Sequence, residues 1–138
     1  MKIEEVIEKV VKSPIMVDQN RRYKNSIALS GFLLRKPKFF KHDETNVESC
    51  SLILYQLNNT AGTLKIDSYS CMVYDKELVA QLKENKNVLL VAAVGNLRYS
   101  KKVHGLYAQV WEMQTLVELD IELAEEWERK EDDNEKVG

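Results

Sequence analysis

The sequence predicts an all-β barrel of five strands, with one helix between the third and fourth strands and a short helix ahead of the first. Three observations predict it. The spacing of apolar residues changes from a helical to an alternating period near residue 26. Five runs rich in β-branched and aromatic residues follow. Among the gaps between them, only the one at 75–85 carries a helical pattern.

The first helix rests on Ile3, Val6, Ile7, Val10 and Val11, a stripe at helical spacing. Ser13-Pro14 ends it, because a proline disfavours helical backbone in the residue before it. A helix this short is marginal alone, so its stripe must pack on the barrel or on another subunit. The polar segment 18–25 reads as a linker. Strands are expected at 26–34, 50–57, 64–74, 88–99 and 106–119. In the helix at 75–85, Leu78, Val79 and Leu82 form the apolar face and Asp75 is the N-cap. The apolar residues Leu123, Ala124 and Trp127 suggest a further helix over 120–130, followed by a disordered end at 131–138. The element order β-β-β-α-β-β is that of an OB-fold Greek-key barrel. The expected organisation is an N-terminal helix and linker at 1–24, the barrel at 25–119 and an acidic tail at 120–138.

A chain of 138 residues suits one domain. No run approaches the ~18 apolar residues of a membrane span, and the opening Met1-Lys2-Ile3-Glu4-Glu5 places acids where a signal peptide carries bases. A cytoplasmic protein without membrane contact is expected. Cys50 and Cys71 sit in strand-like apolar runs without metal-ligand spacing, and His42 and His104 do not join them, so both cysteines are expected as reduced core residues. The net charge of −2 conceals an asymmetry: residues 118–138 carry ten acids against three bases, which leaves +5 on residues 1–117. A basic body with an acidic tail suits a polyanion binder whose tail competes for the site or recruits partners; a merely solvated tail is the alternative.

Several segments resemble the bacterial and phage single-stranded DNA-binding protein family. Gly31-Phe32-Leu33-Leu34-Arg35-Lys36-Pro37, preceded by Asn25, Ile27 and Leu29, is similar to the family's first strand. Cys50-Ser51-Leu52-Ile53-Leu54 resembles its second. Tyr69-Ser70-Cys71-Met72-Val73-Tyr74, ahead of Val79-Ala80-Gln81-Leu82, resembles its third strand and helix. Val94-Gly95-Asn96-Leu97-Arg98 and Glu112-Met113-Gln114-Thr115-Leu116 resemble its fourth and closing strands. The resemblance spans residues 25–119 and implies an OB-fold that binds single-stranded DNA. The chain departs from the family pattern at Ser68, where a base-stacking aromatic usually opens the third strand, and at Lys102, where a tryptophan is common. It also ends in Glu135-Lys136-Val137-Gly138 rather than the family's tail tip. Such a divergent member fits a phage, plasmid or conjugative element.

Gripping unpaired nucleotides requires cations along the phosphates and flat rings under the bases. Arg35, Lys36, Lys38, Phe39, Phe40 and Lys41 supply both within seven residues, with one phenylalanine expected to stack and the other free to cap the core. Arg98, Tyr99, Lys101 and Lys102, with Tyr107 across a hairpin turn, form a second cluster, for which a solvated basic turn is the plain alternative. Tyr69 completes the candidate set. Of Tyr55, Tyr69 and Tyr74, two are expected in the barrel core. Trp111 suits a stacking platform, an interface anchor or the core.

His42-Asp43-Glu44 reads as a solvated loop, and no P-loop, GxGxxG, Gly-x-Ser-x-Gly or HExxH occurs. The expected protein is a non-enzymatic binder of single-stranded DNA in replication, recombination or DNA transfer, without metal or cofactor. It acts as a homo-oligomer, a dimer or tetramer, with the N-terminal stripe as a subunit contact and the acidic tail as a site for replication or transfer proteins. A protein-interaction OB module and an RNA-binding OB module remain the alternatives.

Overall fold

The computed structural model describes residues 1–14, 25–102 and 104–126. Helix α1 (Ile3–Val11) precedes strands β1 (Ile27–Leu33), β2 (Lys38–Lys41), β3 (Glu48–Thr60) and β4 (Thr63–Val73). Helix α2 (Lys76–Glu84) and strands β5 (Asn87–Ser100) and β6 (Gly105–Glu122) complete the chain. The strands run β1-β5-β6-β4-β3-β2 across the sheet, and β1 turns back to pair with β3 at Phe32 with Tyr55 and Leu33 with Leu54. That pairing closes the sheet into the expected OB barrel. The parallel contact of β4 with β6, from Cys71 opposite Ala108 to Val73 opposite Val110, joins the other side.

The expected helix over 75–85 is present. The Asp75 carboxylate accepts a 3.0 Å hydrogen bond from the Leu78 N–H, filling one of the donor positions that a helix start leaves open. Its apolar face buries Leu78, Val79 and Leu82 against one end of the barrel. Inside, Leu33, Leu54, Val73 and Val91 are fully enclosed, together with Cys50 and Cys71. Both thiols are free, and burial, the main cause, pushes each up to about 12. They are therefore protonated core residues at neutral pH, as expected.

Three features differ from the sequence reading. The first is β2. Arg35, Lys36 and Pro37 interrupt the first strand, since proline donates no ladder hydrogen bond, and Lys38–Lys41 then resumes alongside β3 as a separate strand. The second is the closing strand. No helix forms over the described part of 120–130: β6 runs to Glu122, and the next residues are held extended. The Leu123 N–H donates to the Lys86 carbonyl at 3.0 Å, Ala124 N–H to Leu34 at 2.9 Å, and Lys36 N–H to Ala124 at 2.8 Å. Leu123 thereby enters the core. Residues 127–138, with Trp127 and the expected disordered end, lie outside the described residues.

The third is an irregular β6, whose pairing with β5 shifts register at three places, two of them single-residue bulges. Val94 pairs with Glu112 while Gly95 pairs with Val110, so Trp111 is an extra residue. Leu116 is extra in the same way, between Val117 and Thr115, the partners of Leu90 and Val91. A bulged residue leaves the ladder and the strand bends there. Trp111 is half-exposed and so is not a core residue.

Candidate nucleic-acid interface

Alternation along β3 sends Cys50, Leu52 and Leu54 inward. It sends Ser51, Ile53, Tyr55 and Leu57 to the outer face. Cross-strand partners share a side, so the register carries this face across its neighbours. On β2, Lys38 lies opposite Ser51 and Phe40 opposite Ser49, whereas Phe39 lies opposite Cys50. Phe40 is therefore on the outer face with Lys38, whose Nζ is 5.9 Å from its ring centre. Phe39 turns to the core side, packs against the core cluster and carries Lys83 at 5.6 Å over its ring. One phenylalanine caps the core and the other is free, as the sequence suggested for the pair.

On β4 the outer face takes Ile66, Ser68, Ser70 and Met72, opposite Leu57, Tyr55, Ile53 and Ser51. Tyr69 lies opposite Leu54 and points to the other side, where its hydroxyl donates to Gln56 Oε1 at 3.4 Å. None of Tyr55, Tyr69 and Tyr74 is buried, contrary to the expectation that two of them fill the barrel. Tyr55 and Tyr74 lie instead in the outer region. For Tyr55 the signal was available, because it shares the odd-numbered side of β3 with Ser51 and Ile53.

Two arginines frame this face. At the β1–β3 side, Arg35 Nε donates to the Tyr55 hydroxyl at 3.2 Å. At the β5–β6 side, Arg98 lies directly opposite Tyr107 and its Nε donates to Gln109 Oε1 at 3.1 Å. Tyr74 is close to both: burial pushes its hydroxyl pKa up, Tyr107 adds to the rise and Arg98 opposes it. The hairpin has two sides, however. Leu97 lies opposite Ala108 and Tyr99 opposite Leu106, so Tyr99 faces away from Arg98 and Tyr107. Lys101 and Lys102 are exposed at the turn.

The remaining cations of the first cluster are exposed but turned elsewhere. Lys36 Nζ is 3.8 Å from Glu125, beside a hollow of about 540 Å³ at the α2 end of the barrel. Lys41 lies opposite Glu48, whose carboxylate takes Lys83 at 2.7 Å. His42, Asp43 and Glu44 are exposed in the loop after β2. Among the described residues, no group of three histidine, cysteine or acidic side chains converges as a metal site would require. No helix among them is long and apolar enough to cross a membrane.

The mitochondrial single-stranded DNA-binding protein Rim1 of S. cerevisiae superimposes with a TM-score of 0.59 at 10% identity, over 70% of this chain and 98% of Rim1. The chain has the fold of the single-stranded DNA-binding proteins. A small single-stranded DNA-binding protein of Streptomyces coelicolor superimposes with a TM-score of 0.53 at 11% identity, over 67% of this chain and 92% of that one. No protein-family model and no curated protein sequence matches the chain. At such identities the shared fold survives through the pattern of inward and outward residues rather than through side-chain identity.

Proposed function

We propose that this chain is a non-enzymatic binder of single-stranded DNA, without strong sequence preference, serving replication, recombination or DNA transfer. The observation that carries the reading is the outer barrel face. Phe40, Tyr55 and Tyr107 lie on one side of four connected strands, Tyr74 borders them, and Arg35 and Arg98 stand at opposite borders. Rings stack on bases of any sequence, and each stacked base contributes about 1–3 kcal/mol. The arginines and Lys38 meet the phosphates, with Lys36, Lys41, Lys101 and Lys102 adding positive potential around the rim. Phe39, Tyr69 and Tyr99 support the fold or other contacts rather than the groove. The bound copies act together as a dimer or tetramer, since a handful of phosphate contacts per subunit holds one strand weakly. The acidic tail, 120–138, competes with the strand for the cations or receives replication and transfer proteins.

The decisive measurement is a titration of labelled single strands, the matching duplex and RNA at two salt concentrations. Tight, salt-sensitive binding of single-stranded DNA with little duplex affinity supports the reading, and equal affinity for duplex overturns it. Stronger binding of RNA transfers the same groove to an RNA ligand. One observation favours a protein ligand instead. The far end of this face exposes Leu57, Leu64 and Ile66. If no nucleic acid binds, a protein partner on that apolar end is the remaining reading.

A further inference from the structure

The ion pairs among the described residues all use lysine: Lys12, Lys36 and Lys83 sit on Glu8, Glu125 and Glu48. The two arginines of the outer face sit on neutral groups instead. Arg35 Nε donates to the Tyr55 hydroxyl at 3.2 Å, and Arg98 Nε donates to Gln109 Oε1 at 3.1 Å. A carboxylate partner would cancel much of the charge that attracts a phosphate. A neutral acceptor holds the side chain and leaves that charge intact.

In each pair the contact uses Nε alone. A guanidinium donates and never accepts, so the N–H groups of its two Nη atoms remain as a fork for an anion. The same constraint fixes what the partners offer. The Gln109 atom that meets Arg98 is the carbonyl oxygen, which leaves the amide N–H groups uncommitted to that arginine. The Tyr55 hydroxyl uses a lone pair on Arg35 and keeps its own proton to donate. Each pair therefore gathers donors around one full positive charge, which is the complement of a phosphate oxygen.

The two pairs stand too far apart to share one phosphate. Tyr55 lies opposite Ser68 on β4, and Gln109 lies opposite Met72 on the same strand. Two strand spacings across the sheet and the rise from Ser68 to Met72 separate Tyr55 from Gln109 by roughly 16 Å. We infer that Tyr55 with Arg35, and Gln109 with Arg98, form two separate seats for phosphodiester oxygens, in which the neutral partner fixes the arginine and adds a donor of its own. The inference rests on the single-strand reading above and adds Gln109 to it. A free arginine loses rotamer freedom when it grips an anion. A fork already held in place loses less, so the seat binds more tightly than its exposed charge alone would.

The test measures single-stranded DNA binding by the full chain over a series of salt concentrations, in double-variant cycles. Gln109→Met keeps the bulk of the side chain and removes its acceptor and donors. Tyr55→Phe keeps the ring and removes the hydroxyl. Each is expected to weaken binding about threefold to tenfold. Within a seat the loss is expected to shrink below about twofold once the arginine is gone, as for Gln109→Met in Arg98→Ala and Tyr55→Phe in Arg35→Ala. Across seats, as for Gln109→Met in Arg35→Ala, it is expected to persist in full. Gln109→Glu holds Arg98 but cancels its charge, so it is expected to lower the slope of log affinity against log salt by about 0.7, whereas Gln109→Met leaves the slope unchanged. Losses that add within a seat as they do across seats overturn the inference, as does Gln109→Met at wild-type affinity or Gln109→Glu at the wild-type slope. In those cases the wild type still binds and the single-strand reading stands; a wild type without single-strand affinity overturns both. Urea unfolding checks folding, and Gln109→Ala repeats the cycle should Gln109→Met unfold.

Discussion

Phe39 and Phe40 are consecutive in the chain and face opposite sides of β2, one opposite Cys50 and the other opposite Ser49. The two are therefore expected to separate stability from binding. Phe40→Ala is expected to weaken single-strand binding by about tenfold, the loss of one stacked base, with an unchanged melting temperature. Phe39→Ala is expected to cost about 2 kcal/mol of stability, since the ring is only partly enclosed, and to leave affinity nearly intact. Fluorescence anisotropy and thermal melting of both variants check the split. Equal effects on both measurements in both variants count against the assignment of faces.

Arg35 and Arg98 stand at opposite borders of the proposed binding face, so each is expected to meet its own phosphate. For a single strand, each phosphate contact contributes about 0.7 to the slope of log affinity against log salt. Arg35→Ala and Arg98→Ala are each expected to reduce that slope by roughly this amount, and the double variant by roughly twice as much. An affinity loss without a change in slope assigns the arginine to ring support, as for Arg35 under the Tyr55 hydroxyl.

Gly95 is fixed by its neighbour. A Cβ there would stand 2.0 Å from the Gln109 carbonyl oxygen, and that oxygen is backbone. Gly95→Ala is expected to destabilise the barrel by at least about 3 kcal/mol, because β5 and the bulged β6 must move apart. Gly62, in the β3–β4 turn with φ +80° and no atom within 4 Å, is the control: Gly62→Ala is expected to cost only about 1 kcal/mol of backbone strain. Urea unfolding of the two variants measures the difference.

The enclosed thiols set an alkaline limit. Cys50 and Cys71 hold their protons more tightly folded, near 12, than the usual value of 9.0. Their contribution to stability is fully present below about pH 9 and is lost as pH rises toward 12, where the unfolded chain ionises first. Urea midpoints are expected to fall between pH 9 and 11, with a shallower fall in Cys50→Ala/Cys71→Ala. At neutral pH neither thiol is expected to react with a thiol reagent until the protein unfolds.

The parts of this fold legible in the sequence are those that depend on local pattern. The Asp75 cap, the apolar face of α2 and the inward cysteines follow from residue type and spacing alone. What escaped depends on pairing. Lys38-Phe39-Phe40-Lys41 has no alternation of its own and becomes a strand only because β3 lies beside it. The end of β6 was misread for a different reason. Residues 117–123 alternate strictly between apolar and acidic, a strand signal, but Leu123, Ala124 and Trp127 also fit a helix. The hydrogen bonds from Leu34, Lys36 and Lys86 decide between the two, and they come from distant parts of the chain. Likewise Tyr99 and Tyr107 look equivalent in the turn cluster, and only the register of Arg98 with Tyr107 separates them.

Two hydrogen-bonded anchorages lie at opposite ends of β1. Asn25 is tied beside Leu97 before that strand begins, and Ala124 is tied to Leu34 and Lys36 after it finishes. Seven strand residues separate these points, a distance of about 23 Å. A circular permutant that joins residue 124 to residue 25 of the same barrel therefore requires a linker that crosses the length of the barrel. A linker shorter than about seven extended residues would pull Leu123 from its seat, and the permutant would melt at a lower temperature than the chain in its native order.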